Sequence, residues 1–292
     1  HRDSYAQHSS ELRGVEGRGE VDFTIVPTQG VPIFTLFDAN GDIVVVVKNL
    51  SGGQLAKIDR DTLTVVETQT LTGNGVFGGA YGYLDENSHA VVGIGQSVQR
   101  WDPSTTPMTL LDSVDLSGDL AAGEALAAVT VSYDGYLLFA GDMGTFGVLS
   151  LSLGSSALDT ITFPGETIAN GFTVDEEGGI YLVSSRKLRR LAWNGTAISV
   201  AWEYDVGEPY TTPRPGRLGT GSGTTPSLIM DDMVTITDDE QSMNLRVLRR
   251  GLDADLGGAP REVCNVPVFD EDATTDNAIV VAGRTLIVEQ NL

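Results

Sequence analysis

IFTLFDANGDIVVVV, residues 33–47, reads as an apolar run, an acidic turn centred on Asp38 and a second apolar run. The same phrase returns as GAYGYLDENSHAVVGI (79–94), AAVTVSYDGYLLFAG (127–141), NGFTVDEEGGIYLVS (170–184), TPSLIMDDMVTITD (225–238) and NAIVVAGRTLIVEQ (277–290). The turns fall near Asp38, Asp85, Asp134, Asp175, Asp231 and Ala282, at intervals of roughly 41 to 56 residues. That spacing is the range expected of four-stranded propeller blades. After each of the first five copies come two further strand-like runs. Examples are LAKIDRD (55–61) with LTVVETQTL (63–71), and LRRLAW (188–193) joined through an Asn194-Gly195 hairpin turn to AISVAWEY (197–204). Nowhere is there a sustained apolar stripe of helical period. The expectation is an all-β chain folded as a six-bladed β-propeller.

The sixth copy supplies only two strands before Leu292, while VDFTIVP (21–27) precedes the first phrase without inner strands of its own. Pairing the two ends would leave no open edge, so the last blade is expected to be closed by N- and C-terminal strands. Rings of five or seven blades and an up-and-down barrel are the alternatives. Residues 1–20 hold few large apolar side chains and many charges, and are expected to be a mobile tail before a single propeller domain, 21–292.

Asp and Glu number 40 against 18 Lys and Arg, for a formal charge of −22. Such a surface repels phosphate backbones and anionic lipid, which argues against nucleic acid as a partner. It suits salty or extracellular water, and equally a merely soluble acidic protein. The longest apolar runs, Ile43–Val47 and Ala125–Val131, are far short of the roughly 20 residues that cross a bilayer. Cys264 is the single cysteine, so neither an intrachain disulfide nor a thiolate metal site can form. The chain opens at His1 rather than Met, as a processed or trimmed protein does, and a secreted or periplasmic location is the expectation.

Two glycine-rich strings mislead. Gly73-Asn74-Gly75-Val76-Phe77-Gly78 spells a dinucleotide fingerprint, yet no helix follows to receive a pyrophosphate, so a connection between blades is the simpler reading. Gly216–Gly223 lacks the lysine and hydroxyl that end a phosphate loop. The histidines are His1, His8 and His89, too few and too badly placed for a triad or for histidine-held zinc or iron. Any chemistry must rest on carboxylates, amides, hydroxyls or arginine.

Superposing the six copies places Glu124, Glu166, Asn170, Thr225 and Asn277 on connections entering the blades. Asn49, Gln96, Asp142, Ser185, Asp238, Asp239 and Glu289 end the second strands. Oxygen donors converging there would suit calcium, at Asn170, Asp238 and Glu289, with Asp142 or Asp239 as base. The plain alternative is that acidic residues are common throughout. The longest connection, 207–225, carries Tyr210, Arg214 and Arg217, which could grip a substrate carboxylate or simply pack over a rim. Arg186, Lys187, Arg189, Arg190, Arg249 and Arg250 fall on third strands, where acidic neighbours are their expected partners.

NGFTVDEEGGIYLVSS (170–185) resembles the calcium-bearing strand pair of the gluconolactonase, senescence-marker-protein and strictosidine-synthase-like propellers. That resemblance implies Asn170 as a cation ligand; those families carry an acidic residue where this chain has Ser185. GSGTTPSLI (221–229), TITDDEQSMNLRVLRR (235–250) and residues 264–291 resemble a group of bacterial quinoprotein-like propeller proteins, implying the fold and a bacterial source with no reaction attached. A quinone-dependent dehydrogenase would want a stacked tryptophan, and Trp101, Trp193 and Trp202 all avoid the inner strands. The readings that stand are a calcium-assisted hydrolase of lactones or esters and a non-enzymatic scaffold for a small molecule, peptide, glycan or partner protein.

Overall fold

Strands rich in Val, Ile and Leu alternate with Gly- and Asp-bearing turns, and a computed structural model shows the chain pairing them in sequence order. It describes residues 24–28, 30–49, 52–72, 81–207, 214, 217, 220–222, 224–230, 232–240, 242–269 and 274–291. The expected tail, the Gly73–Gly78 string and Tyr210 lie outside the described residues.

Five sheets are four-stranded and antiparallel. The first holds β1 (Val31–Phe37), β2 (Ile43–Asn49), β3 (Gly52–Ile58) and β4 (Val65–Leu71). The second holds β5 (Tyr83–Leu84), β6 (Ala90–Ile94), β7 (Ser97–Asp102) and β8 (Thr109–Asp115). β9 (Leu126–Val131), β10 (Tyr136–Gly141), β11 (Thr145–Ser150) and β12 (Asp159–Thr162) form the third. The fourth is β13 (Thr173–Val174), β14 (Gly179–Val183), β15 (Lys187–Trp193) and β16 (Ile198–Asp205). The fifth is β17 (Ser227–Ile229), β18 (Met233–Thr237), β19 (Asn244–Arg249) and β20 (Glu262–Pro267). A two-stranded hairpin follows, β21 (Val280–Ala282) with β22 (Thr285–Ile287).

Position in the sheet sets the residue pattern. Second strands are covered on both faces and are continuous apolar runs: all five residues of β6 and of β14 are buried. Fourth strands are largely exposed, β4 alternating and β20 open along most of its length. Full burial of a Val or Leu contributes about 1.5–3 kcal/mol, so the second and third strands carry most of the core.

The chain groups into two compact units. In one, Val44, Val46 and Leu55 pack with Ala90, Val92 and Trp101, and Val91 and Val98 pack with Leu126, Leu137 and Phe139. In the other, Tyr181, Leu188 and Trp202 pack with Leu228, Val234, Ile236 and Leu248. Each of these clusters joins a sheet to the next along the chain.

The acidic turns repeat atom for atom in three sheets. Asp38 Oδ1 accepts the N–H groups of Asn40 and Asp42. Asp85 Oδ1 accepts those of Asn87 and His89, and Asp175 Oδ1 those of Glu177 and Gly179. Three residues on, each turn passes through the left-handed region, at Gly41 (φ 83°), Ser88 (φ 63°) and Gly178 (φ 81°). The second oxygen meets a cation of the third strand: Lys57 at 3.7 Å, Arg100 at 3.4 Å and Arg190 at 3.9 Å. Those cations occupy one register position, opposite Val44, Val91 and Tyr181.

In the third sheet Gly135 is the left-handed residue, so the place of the turn aspartate belongs to Ser132 rather than Asp134. The register position of the cation is then Val148, opposite Leu138. Carboxylate and cation are absent together, as the cost of a lone buried charge demands.

Replacing Lys57 by Val is therefore expected to lower stability by about 3 kcal/mol, because it strands Asp38. Adding Asp38→Ser, which copies Ser132 and Val148, should recover part of that loss. Urea unfolding of the two single variants and the double variant measures the coupling; additive losses would show that the pair does not interact.

Candidate functional site

At the other end of the second strands, the incoming connection is stitched to the strand end. In the third sheet Asp142 N–H donates to the Ala125 carbonyl at 2.8 Å, and Ala125 N–H donates to Asp142 Oδ1 at 2.9 Å. In the fourth, Ser185 N–H donates to the Thr167 carbonyl at 2.8 Å and Thr167 N–H to Ser185 Oγ at 3.1 Å. In the fifth, Gly221 N–H donates to Asp239 Oδ2 at 2.8 Å. Asp142, Ser185 and Asp239 thus share one structural job. In the first sheet the corresponding residue is Lys48, buried at the end of β2, and desolvation pulls its ammonium down to about 8.

Beside each stitch lies a buried carboxylate with its own donors. Glu124 is 1% exposed and accepts from Ala121 N, Thr145 N and Thr145 Oγ1, each at 2.9 Å, which pins the β10–β11 turn. Glu166 receives both arms of Arg189 at 2.7 Å, and the Ser184 hydroxyl donates to it. Arg189 also lies over the Phe163 ring, 3.8 Å from its centroid. Burial alone would raise the Glu166 carboxyl, but the Arg189 and Ser184 hydrogen bonds and the nearby cations carry it below the usual range.

Asp238 is fully buried. Its oxygens accept from Asn244 N and Asn244 Nδ2, both at 2.9 Å, from Glu240 N at 3.2 Å and from Arg246 Nε at 2.8 Å. Arg246 reaches onward to Tyr204 Oη at 3.0 Å and to Glu262 at 3.1 Å.

Asp239 joins the long connection to the strand end. Arg217 binds it through one arm, binds the Gly221 carbonyl through the other, and places Nε 3.2 Å from Asp276. Arg214 donates to the Asp239 carbonyl at 2.8 Å, to its Oδ1 at 3.3 Å and to the Glu240 carbonyl. Both arginines are over nine-tenths buried. The pair read as either gripping a substrate or packing over a rim here anchors its own loop, because a buried aspartate needs those cations and the backbone carbonyls nearby accept their remaining donors.

The expected bases also part company. Asp239, between two guanidinium groups, is held as an ion-pair partner. Asp142 is exposed and its carboxyl is raised, first by desolvation and then by the charge of Glu124.

The expected calcium ligands have separate commitments. Asn170 Nδ2 donates to the Ser222 carbonyl at 2.9 Å, and exposed Glu289 accepts from Asn277 Nδ2 at 2.6 Å. The Asp238 oxygens already take four donors, one of them cationic. Calcium takes six to eight oxygen ligands, and Asp238 would have to give up donors, Arg246 among them, to supply one. Among the described residues, no group of three or more His, Cys, Asp or Glu is gathered to hold a metal ion. Arg189 meets an acidic partner as its third-strand position suggests, whereas Arg246 escapes the sequence, since its role depends on cross-strand register opposite Ile236.

Three outcomes follow for stability. Asp239→Asn is expected to cost about 3–5 kcal/mol by stranding Arg217 and Arg214, whereas Asp142→Asn at neutral pH should change stability by less than about 1 kcal/mol. Glu166→Gln should destabilise at pH 7 by about 1–3 kcal/mol. Its folded carboxyl is depressed, so that contribution is present above the unfolded glutamate range and is lost as pH falls through the folded value. Denaturant midpoints of wild type and variant should converge in acid.

No family model matches the chain. It is 32% identical over 258 residues to an uncharacterized protein of Archaeoglobus fulgidus, covering 84% of this chain and 50% of that relative. The chain thus spans about half the length of the curated relative it matches. Among solved structures it resembles a protein from Lactobacillus plantarum, with TM-score 0.59, 16% identity, and 80% of this chain and 70% of that chain covered. It also resembles a catalytically inactive virginiamycin B lyase from Staphylococcus aureus with quinupristin, with TM-score 0.56, 13% identity, and 88% and 76% covered. A third likeness is to Kuenenia stuttgartiensis hydrazine synthase, with TM-score 0.55, 11% identity, and 80% and 67% covered. Together with the sequential four-stranded sheets, these likenesses establish an all-β fold of the propeller type.

Proposed function

We propose that this chain is a propeller-type binding module acting outside the cytoplasm, which presents the connection ends of its sheets to a peptide, glycan or partner protein. The observation that carries this reading is the commitment of Asp239, Arg214 and Arg217 to one another. A catalytic carboxylate must be able to exchange a proton, and a substrate-binding arginine must have donors to offer. Here those groups fix loops, which gives a rigid polar surface instead of reactive side chains. The acidic surface is compatible with an extracellular setting. A six-bladed fold accompanies the proposal; five four-stranded sheets and one of two strands support it, with residues 24–28 outside any strand.

One observation favours a second reading. Asp142 is exposed with a raised carboxyl, the condition of a general base in lactone or ester hydrolysis. A panel of lactones and aryl esters, with calcium and with chelator, separates the two. The binding reading expects no turnover above buffer and a melting temperature indifferent to both additions. Turnover that disappears in Asp142→Asn would overturn it, and a melting temperature raised by calcium and lowered by chelator would restore the cation site.

A further inference from the structure

Asp175, Arg190 and Arg250 break the one-cation pattern of the acidic turns. In the first two sheets the turn aspartate meets one third-strand cation, Lys57 or Arg100. Asp175 meets two guanidinium groups, Arg190 from β15 at 3.9 Å and Arg250, just past β19, at 3.6 Å. The side chain of Asp175 is 4% exposed, and those of Arg190 and Arg250 are 12% and 10% exposed. The trio therefore carries one positive charge in excess, almost out of water, in a chain whose formal charge is −22.

Hydrogen bonding shows the same shortage of acceptors. Asp175 Oδ1 is taken by Glu177 N–H and Gly179 N–H, and Oδ2 receives the Tyr181 hydroxyl at 2.7 Å. A guanidinium offers five N–H donors. Arg190 makes one hydrogen bond, from Nη1 to the Arg250 carbonyl at 3.3 Å. Arg250 makes one, from Nη2 to the Met230 carbonyl at 3.4 Å. Both contacts are long, both ion pairs lie beyond hydrogen-bond reach, and the Nε atoms of both arginines are buried without a partner. The Nε atoms of Arg100, Arg189 and Arg214 are also buried without a hydrogen bond. The terminal nitrogens of Arg189 nevertheless make two bonds to Glu166, and Arg246 reaches four oxygen-bearing side chains, so what sets this pair apart is the single long bond that each guanidinium makes. Arg190 Nε lies against Gly179, where a Cβ would come to 2.7 Å, so the donors open to another acceptor are the terminal nitrogens.

The surroundings hold the pair in place. Trp202 Nε1 donates to the Arg250 carbonyl at 3.0 Å, the same oxygen that Arg190 uses. The Arg190 guanidinium is 6.0 Å from the centre of the Tyr181 ring. Glu176 and Glu177 of the same turn are exposed, so water screens them from the buried cations.

We infer that Arg190 and Arg250 form a binding site for an oxyanion, the phosphate, sulfate or carboxylate group of a ligand, at the turn end of the fourth and fifth sheets. One such group would accept from the terminal nitrogens of both arginines and cancel the surplus charge. The site lies at the strand ends opposite Ser185 and Asp239 and is independent of the binding surface proposed above.

The experiment is a thermal melt of the full chain in increasing inorganic phosphate, with ionic strength matched by sodium chloride. Phosphate should raise the melting temperature beyond the chloride control and saturate, and Arg250→Gln and Arg190→Gln should each abolish the excess shift. Sulfate and acetate series then identify the group: an equal shift with acetate assigns a carboxylate, and a shift confined to phosphate and sulfate assigns a tetrahedral anion. Should a glutamine variant not fold, phosphorus NMR of the wild type reads binding directly, as line broadening that excess sulfate or acetate reverses. A melting temperature that follows chloride alone, or an undiminished shift in Arg250→Gln, would overturn the inference.

Discussion

In three of the sheets a single aspartate ahead of the second strand carries two loads at once. Its first oxygen accepts two backbone N–H groups and so shapes the turn, while its second faces a cation two strands away in the chain order of the sheet. The first task is local and could be met by serine or asparagine. The second is not, because a carboxylate almost out of water needs compensation. Turn shape, strand register and the identity of one third-strand residue become a single choice. Where the third sheet uses Ser132 for the turn, it has Val148 opposite Leu138, and the hydrogen-bonded sheet is otherwise unchanged. The internal repeats thus act as their own comparison: a charge is either present with its partner or absent with it.

The connection ends follow the same logic with different consequences. Asp142, Ser185 and Asp239 all accept from the backbone of an incoming segment, so polar side chains there are first a means of ending loops neatly. What distinguishes them is the charge nearby. Desolvation and then Glu124 raise Asp142, while Arg214 and Arg217 pair with Asp239. A residue type at a repeated position therefore does not carry a function from one sheet to another; its neighbours on other strands decide.

Much of the fold is legible in the sequence because second strands, covered on both faces, are written as near-unbroken apolar runs such as Ile43–Val47. The turns stand out for a related reason, since Asp and Gly there satisfy backbone demands within four or five residues. The shift from Asp134 to Ser132 shows the limit: Tyr133-Asp134-Gly135 looks like the turn, but it is the left-handed glycine that fixes the phase. The candidate site is less legible. Strand-end positions such as Asp142 and Asp239 can be located by superposing repeats, yet their partners lie 17 to 25 residues away, in connections with no periodicity. The Arg214 and Arg217 anchors were visible as cations in a long loop, and nothing in the loop itself says that their guanidinium groups turn inward.

Charge distribution ties these points together. The chain has few cations, and Lys48, Lys57, Arg189, Arg214, Arg217, Arg246 and Arg250 are all buried. Asp38, Glu124, Asp175, Asp238 and Asp239 are buried with them, so burial withdraws little net charge, the solvent-facing surface stays strongly acidic and free polyanions are repelled at long range. Short-range recognition obeys different arithmetic. Desolvated guanidinium groups interact strongly with whatever acceptor is within reach, and screening by water and salt hardly weakens them. In most places this molecule supplies the acceptor itself. Around Arg190 and Arg250 the acceptors run out, because Asp175 is already shared between the turn backbone and Tyr181. A strongly acidic protein can therefore hold a pair of cations short of acceptors, which net charge alone does not reveal.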